Sequence, residues 1–492
     1  MRAGRGPLQS AAMTNSREHD LRARAGALGQ DHLFQGWQHR SESERSTLFS
    51  DLESLDWDLM PSLLEFARGE AKPELPSNPE PVDAIAVPRT PEECRREQEV
   101  RARGETEIRA GATALLMVAG GQGTRLGYDG PKGTFRITPV LDRPIFALHA
   151  ERIGALEKRH GVELHWVIMT SPANDASTRA DFEANGFYGR PASRVRFMVQ
   201  GMLPAADFQG RLLLASPGRL ALSPNGHGGA LDALRRSGIA SDLLAKGVKH
   251  VYSFQVDNVI VPAADPILLG HHVAGMARIS TKCVQKRDPA EPVGVAARWG
   301  GGFGIIEYSD LPDALRHAKD AAGLLKFRHG SIATHWIDLS WAAGIGTAAK
   351  PLPFHLAKKK VPCWSPEAGS VTPEKPNAFK FEMFLFDALR HAERAVFQEV
   401  DRHAEFSPVK NLTGDDSADT ARADLSRIWS EWLREGGIVA PPGTLAEVSP
   451  SFALDAEECA RKLLPWARGH RDPIRELAAG AFPGIALRLP RA

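Results

Sequence analysis

The feature that most constrains this fold is an apolar run that breaks into a loop containing four glycines. Residues 114–119 read Ala-Leu-Leu-Met-Val-Ala, and Gly120, Gly121, Gly123 and Gly127 follow. Glycine lets a backbone pass close to a bulky anion, and the N–H groups of such a loop can point at phosphate oxygens. The pattern therefore predicts a buried strand that ends in a phosphate-binding loop. A tight strand-to-helix turn without a ligand would use the same glycines.

Two cations lie just beyond this loop. Arg125 is inside the glycine-rich stretch, and Lys132 follows in Gly-Pro-Lys-Gly. The stretch is not a P-loop, because no GxxxxGK[ST] pattern is present, and the third glycine of a dinucleotide fingerprint is replaced by Leu126. The spacing therefore predicts a polyphosphate-binding site that is neither a P-loop nor a dinucleotide-binding loop.

Length and charge limit the classes of protein that fit. The chain has 492 residues, too many for one hydrophobic core, so two or three domains are expected. Its formal net charge is +1, so no global field favours nucleic acid or an anionic membrane as a partner. Four scattered cysteines without CxxC spacing argue against a zinc site or a disulfide framework and indicate a reducing cytoplasm. No apolar run approaches the roughly 20 residues of a membrane span.

From about residue 112 to 345 short apolar runs alternate with helical patterns. This alternation predicts an α/β core with a mixed, mostly parallel sheet, whose ligands bind beyond the carboxyl ends of the strands. The predicted strands are 114–119, 164–170, 195–199, 248–256 and 279–284, and the predicted helices are 145–159, 176–185 and 229–244.

The rest of the chain predicts two further lobes. Residues 1–16 are expected to be a disordered tail, with Met13 as a candidate start, and 17–108 an N-terminal helical lobe. Within that lobe, residues 17–70 have the spacing of a helical pair, 71–92 of a linker, and Thr90 caps a helix that begins at Pro91. The α/β core would span 109–404, and a small α+β lobe 405–492.

Four further positions are candidates for chemistry. Asp257 follows a predicted strand, where a carboxylate either holds Mg²⁺ against phosphates or caps a loop. The amide of Gln200 offers a donor and an acceptor that complement a uracil edge, as well as ordinary loop contacts. Asn225-Gly-His-Gly-Gly229 forms either a backbone cradle or a simple loop. Lys380 stands in an apolar sequence and should have an anionic partner.

Taken together, these motifs resemble the eukaryotic-type UTP:sugar-1-phosphate uridylyltransferase family, nearest to its N-acetylhexosamine pyrophosphorylase branch. The resemblance runs from residue 21 past Asn411, and so covers most of the chain. It implies a Rossmann-like nucleotide-diphospho-sugar transferase core that makes UDP-sugar and pyrophosphate from UTP and a sugar-1-phosphate, with Mg²⁺. Its markers are 119–127 with Pro131-Lys132, 169–171, 200–204, 225–229, 256–258, 291–294, 352–355 and Lys380.

The resemblance also implies roles for individual positions. Arg125, Lys132 and Lys380 would be the catalytic cations, the first two on the UTP phosphates and the third on the sugar phosphate. Asp257 would be the metal ligand. The remaining positions would bind substrate: the phosphates at Gly120 and Gly121, uracil at Gln200 and Gly228, and the sugar at His227, Gly294, Glu307 and Thr334.

Two positions depart from the family pattern. The family has Asp-Gly-Asn-Gly-Gly where this chain has His227, and an Asn-His pair where this chain has Thr334-His335. Loss of two amides near the sugar leaves UDP-glucose-type, UDP-galactose-type or broad specificity as alternatives to N-acetylglucosamine 1-phosphate. A catalytically silent nucleotide-sugar sensor on the same fold is a third reading, because fold alone does not give function.

Overall fold

The computed structural model describes residues 18–70, 77–347 and 349–490, and the predicted tail at 1–16 lies outside these ranges. The described residues form two compact units, each built from separated segments. The core unit comprises the described parts of Pro76–Val199, Ala233–Ile345 and Ala388–Ala492. The N-terminal unit comprises those of Met1–Leu75, Gln200–Asp232 and Gly346–Asp387. The four-segment domain division stays a prediction.

A mixed sheet organises the core unit. Along its main path every neighbouring pair is parallel except the two pairs made by His329–Asp338. The mostly parallel α/β core predicted from the sequence is therefore confirmed. The strand order from edge to edge is Ala84–Ile85, Ala395–Glu399, Ile279–Gln285, His329–Asp338, His250–Gln255, Thr113–Val118, His165–Thr170 and Val195–Val199.

The central strands are hydrophobic because both faces of the sheet are covered. Every residue of Thr113–Val118 and His165–Thr170 is buried, as parallel sheets with helices on both faces require. All five strands predicted from apolar runs are present, with ends within about two residues of those expected. The antiparallel strand His329–Asp338 was not predicted.

Short strands also correct the predicted linker at 71–92. Ala84–Ile85 pairs with the edge strand Ala395–Glu399, and Glu80–Pro81 pairs with Val295–Trp299, which forms a hairpin with Gly302–Ile306. Two-residue strands carry no local pattern, because they form only where tertiary structure offers an unpaired sheet edge.

Helices cover the sheet and extend the core unit toward its C-terminus. Thr90 caps the helix Pro91–Arg109 with a complete capping box, as predicted. Residues of Ala418–Glu435 share a hydrophobic cluster with strand residues such as Leu115 and Trp166. The other helices of at least six residues are Ile145–His160, Asp175–Ala184, Ile239–Ala245, Pro266–Ala274, Ala456–Ala467 and Pro473–Ala478, and the strands Leu445–Val448 and Ile485–Arg488 pair antiparallel.

One predicted helix is wrong in its extent. The expected helix 229–244 is two helices, Gly229–Arg236 and Ile239–Ala245. Gly238 separates them with a φ of 74°, a left-handed conformation that ends a helix.

The N-terminal unit combines helices with three small sheets. Residues 18–27, Glu42–Ser54 and Met60–Ala67 are helical, one helix more than the predicted pair. Buried Asp51 accepts a hydrogen bond from the N–H of Leu220, which ties the second helix to a strand. The sheets are formed by Met202–Pro204 with Leu222–Pro224, by His355–Lys359, Ala378–Glu382 and Ala206–Asp207, and by Gly369–Val371, Cys363–Ser365, Leu214–Ser216 and Arg219–Leu220.

Two global properties follow. None of the helices in the described ranges is long and apolar enough to cross a membrane. The four cysteines are unpaired thiols, of which Cys283 and Cys459 are buried.

Candidate active site

The glycine-rich loop leaves the core unit at the carboxyl end of Thr113–Val118. Its carbonyl oxygens are held from one side, because Ser171 Oγ donates to Gly120 O (2.8 Å) and Asn174 Nδ2 to the carbonyl of Ala119 (2.9 Å). The N–H groups of Gly120 and Gly121 donate to no other described residue of this unit. A loop with its acceptors satisfied and its donors open is suited to bind an anion.

Two glycines of the loop are required by close packing. A Cβ at Gly123 would lie 2.7 Å from Tyr128 Cδ1, and one at Gly133 would lie 2.2 Å from ring atoms of Phe146. Backbone hydrogen bonds between Gly123 and Gly130 and between Lys132 and Gly121 close the loop on itself. The loop therefore has one compact path that returns Lys132 to its beginning.

Lys132 and Asp257 form the central contact of the site. Nζ of Lys132 lies 2.9 Å from Oδ2 of Asp257, and both side chains are about 15% exposed, at 16% and 14%. The contact arises because Thr113–Val118 and His250–Gln255 are adjacent parallel strands, so both loops leave the same edge of the sheet. Burial raises the pKa of Asp257, but the charges of Lys132 and Lys410 outweigh it and hold that pKa below its usual value.

Lys410 is a functional candidate that the sequence reasoning missed. Its charge acts on Asp257, and the N–H of its neighbour Val409 donates to the carbonyl of Asp257 at 3.0 Å. The sequence feature that could have identified it is a lysine directly after the apolar pair Pro408-Val409, which is buried in the structure.

Arg125, by contrast, is exposed in the turn Thr124–Leu126, and no carboxylate among the described residues of its unit lies within ion-pairing distance.

Three of the positions expected to contact the sugar belong to the core unit, and two of these, Gly294 and Glu307, lie next to each other. A Cβ on Gly294 would lie 3.0 Å from Glu307 Oε1, so these two positions are in contact distance. Ser331 N donates to Gly294 O at 2.9 Å, which joins this loop to the strand His329–Asp338. Thr334 lies on that strand, is 1% exposed, and its hydroxyl donates to the carbonyl of Ile332 at 3.4 Å.

The N-terminal unit holds the remaining predicted positions. Gln200 is buried, and Asn225 N donates to Gly201 O at 3.0 Å. Hydrogen bonds in both directions link Asn225 and Gly228 to Met383, and a Cβ on Gly228 would lie 2.7 Å from the Met383 backbone. The structure thus brings the predicted uracil segments together with the segment that follows Lys380.

His227 has a defined and uncharged state. Its ring stacks on Phe384 with centroids 5.2 Å apart, and Nδ1 accepts a hydrogen bond from Leu385 N at 3.1 Å. Burial, with a smaller contribution from His355, lowers the pKa of His227 to about 4. The ring is therefore neutral at pH 7, and its proton lies on Nε2, which leaves one donor where an asparagine offers a donor and an acceptor.

Lys380 lies on the strand Ala378–Glu382, opposite Ala357, and is half-buried. The anionic partner expected from the sequence is not a side chain of this unit, since none of its described carboxylates lies within ion-pairing distance of Nζ. A partly desolvated ammonium that has no counter-ion among the described carboxylates of its own unit is suited to an anionic ligand.

Comparison with known proteins gives one consistent result. A family model described as UTP–glucose-1-phosphate uridylyltransferase matches residues 81–421. The chain is 34% identical to UDP-N-acetylglucosamine pyrophosphorylase of Saccharomyces cerevisiae over 88% of this chain and 94% of the relative. It is 34% identical to UDP-N-acetylhexosamine pyrophosphorylase-like protein 1 of Xenopus tropicalis, over 89% and 88%. The crystal structure of uridine diphosphate N-acetylglucosamine pyrophosphorylase from Trypanosoma brucei, in complex with inhibitor, superimposes with a TM-score of 0.80 at 25% identity, over 93% and 97%.

Proposed function

Because the chain belongs to the UTP–glucose-1-phosphate uridylyltransferase family, we propose that it transfers the uridylyl group of UTP to N-acetylglucosamine 1-phosphate. The products are UDP-N-acetylglucosamine and pyrophosphate. The transferase class follows from the family, and the choice of sugar follows from the names of the relatives at 34% identity.

The observation that supports the reaction type is the contact between Lys132 and Asp257 beside the open N–H groups of Gly120 and Gly121. Phosphoryl transfer needs positioned positive charge and a carboxylate that stays ionised. Both are present at one edge of the sheet, and the low pKa of Asp257 keeps it charged.

The proposed step is a direct displacement. An oxygen of the sugar phosphate attacks the α-phosphorus of UTP, the bond from that phosphorus to the bridging oxygen breaks, and pyrophosphate leaves with the electron pair. The attacking oxygen is already an anion, so catalysis rests on positioning and charge stabilisation rather than on a general base. Arg125 and Lys132 stabilise the departing pyrophosphate, and Lys380 binds the incoming phosphate.

Binding of the two substrates would use the remaining positions. Gln200 and Gly228 bind uracil through the amide of Gln200 and the backbone. The sugar is bound by the positions at which the family contacts it: His227, Gly294, Glu307 and Thr334.

Mg²⁺ fits this site through a single protein carboxylate. No group of three or more His, Cys, Asp or Glu residues that could hold a metal exists among the residues 18–70, 77–347 and 349–490. Asp257 is largely shielded from solvent and ionised, and Mg²⁺ commonly takes one or two carboxylates together with substrate phosphates and water. Asp257 would therefore hold the ion together with UTP, and the bound ion would neutralise charge on the phosphates.

A second specificity is favoured by His227 and Thr334. Nδ1 of His227 is bound to Leu385 N, and the hydroxyl of Thr334 donates to the carbonyl of Ile332. Neither side chain therefore presents the separate NH₂ donor and carbonyl acceptor of an amide. UDP-glucose, UDP-galactose or broad specificity is the alternative proposal for the same chemistry. Four unpaired thiols agree with a proposed cytoplasmic location.

A panel of sugar 1-phosphates tests both proposals. Pyrophosphate release would be measured with UTP, Mg²⁺ and the 1-phosphates of N-acetylglucosamine, glucose and galactose. We expect the highest kcat/KM with N-acetylglucosamine 1-phosphate, whereas a higher value with glucose or galactose would favour the alternative. Tight binding of a UDP-sugar, with no pyrophosphate released from UTP in the presence of any of the sugar 1-phosphates, would identify a nucleotide-sugar sensor instead.

A further inference from the structure

The segment 402–410 of the core unit is hydrogen-bonded to the backbone of Asp257 and to the side chain of Asn258, the residue that follows it. Val409 N donates to Asp257 O at 3.0 Å. The side chain of Asn258 donates to Glu405 O at 2.7 Å and accepts from Ser407 N at 3.1 Å. The place of Asp257 and that of Lys410 are therefore set by the same segment.

A buried lysine anchors this segment. Lys282 is 0% exposed, its Nζ lies 2.7 Å from Asp265 Oδ2, and it also contacts Oε2 of Glu405. Asp265 has further partners, because its carboxylate accepts from the N–H groups at the start of the helix Pro266–Ala274. No backbone N–H among the described residues donates to the Glu405 carboxylate, and Lys282 is its main source of compensating charge.

A buried ion pair such as this one adds little net free energy of folding, because desolvation of the charges offsets most of their attraction. Taking an ammonium and two carboxylates out of water carries a large desolvation penalty, and apolar residues of similar volume often stabilise a fold as well. What the ion pair adds is a fixed position, because it holds the Glu405 side chain against Lys282 on the strand Ile279–Gln285. The backbone of Glu405 then holds Asn258.

The start of the same segment reaches a second loop of the candidate site. Arg402 Nη2 lies 2.8 Å from Oε1 of Glu291, and Glu291 is buried. Glu291 lies in the loop 286–294, which ends at Gly294 next to Glu307. The segment 402–410 therefore spans from a loop expected to contact sugar to the carboxylate expected to face the phosphates.

We infer that Glu405 is a positioning residue whose ion pair with Lys282 sets the place of Asp257 and Lys410 for uridylyl transfer. The inference rests on the proposed function, because it concerns the turnover of the same site. Glu405 itself touches no reacting group. Its loss moves the groups that do, and an error of about 1 Å in such groups can reduce turnover ~100-fold.

The test compares Glu405→Ala with Glu405→Gln. In Glu405→Ala, Lys282 keeps Asp265 as a partner, so no isolated buried charge is created. We expect kcat to fall at least ~10-fold while KM for UTP changes less than about threefold, the pattern for an interaction needed in the transition state. Hydrogen exchange at residues 256–259 and 405–410 should become faster. Glu405→Gln keeps the shape and a hydrogen bond to Lys282, and should recover part of the loss.

Glu435→Ala, at an exposed glutamate of the same unit, is the matched control and should change neither kcat nor local exchange. If Glu405→Ala does not fold, Asn258→Ala breaks the same connection without removing a charge and should give the same pattern. A kcat within about twofold of the wild type, or a lower melting temperature with unchanged local exchange, would overturn the inference. A wild-type chain that releases no pyrophosphate would instead overturn the proposed function, and the exchange measurement would still decide whether Glu405 positions the loop.

Discussion

The ammonium group of Lys132 lies 2.9 Å from the Oδ2 atom of Asp257, although 125 residues separate the two in the chain. The pair joins the glycine-rich loop to the end of a neighbouring parallel strand. It gives the site a cation and an ionised carboxylate at the same edge of the sheet.

Replacement of Lys132 should reduce turnover without unfolding the protein. We expect Lys132→Ala to lower kcat at least ~100-fold, the usual scale for the loss of one preorganised charge-stabilising group. The measurement is initial-rate pyrophosphate release at saturating UTP. Lys158→Ala removes an exposed lysine from the same unit and should leave kcat unchanged. Equal activity of both variants would remove Lys132 from the catalytic residues.

Replacement of Asp257 should remove the metal response. Asp257→Asn keeps the size of the side chain but cannot supply a carboxylate to Mg²⁺. We expect turnover to become insensitive to Mg²⁺ concentration and Mn²⁺ binding in the presence of UTP to weaken, as measured by electron paramagnetic resonance. An unchanged metal titration by both methods would contradict the assignment.

Lys410 should contribute to the same charge balance. Removal of its charge takes away one of the two cations that hold the pKa of Asp257 low, and so we expect Lys410→Ala to lower kcat ~10- to 100-fold. Lys410→Arg keeps the charge and should retain more activity. A Lys410→Ala enzyme with wild-type kcat would show that its proximity to Asp257 has no catalytic consequence.

Stability should fall in mild acid, partly through His227. The pKa of His227 is about 4 in the folded protein and near 6.5 when unfolded, so the unfolded state binds the extra proton between these values. Its contribution is therefore complete above about pH 6.5 and is lost as the pH falls toward 4. We expect the melting temperature to decrease over this window, and to decrease less in His227→Asn. Parallel curves for the two proteins would show that His227 is not protonated on unfolding in this range.

Much of the core could be predicted because its information is local. The strands Thr113–Val118 and Val195–Val199 are marked by apolar runs. Thr90 caps the helix Pro91–Arg109 through a capping box with Glu93, three positions along the chain. The pairing of Glu80–Pro81 and Ala84–Ile85 could not be predicted, because two-residue strands depend on a sheet edge contributed by distant parts of the chain.

The candidate site divides in the same way. Gly120, Gly121, Lys132 and Asp257 were identified from residue types at strand ends, where parallel topology makes side chains converge. Lys410 was missed because no sequence pattern links it to Asp257. The two residues come close only in the folded chain, where the N–H of Val409 donates to the carbonyl of Asp257. The state of His227 was also hidden, since its low pKa and single donor result from packing on Phe384 and the N–H of Leu385.

The sequence by itself determined the α/β class, the family and the candidate phosphate-binding loop, because each is marked by short patterns of residues along the chain. Only the tertiary structure decided that Lys132 pairs with Asp257, that Lys410 shares its charge, and that the buried Lys282 and Glu405 lie behind them. Those contacts join residues more than one hundred positions apart, and their strength comes from burial, which exists only once the chain has folded.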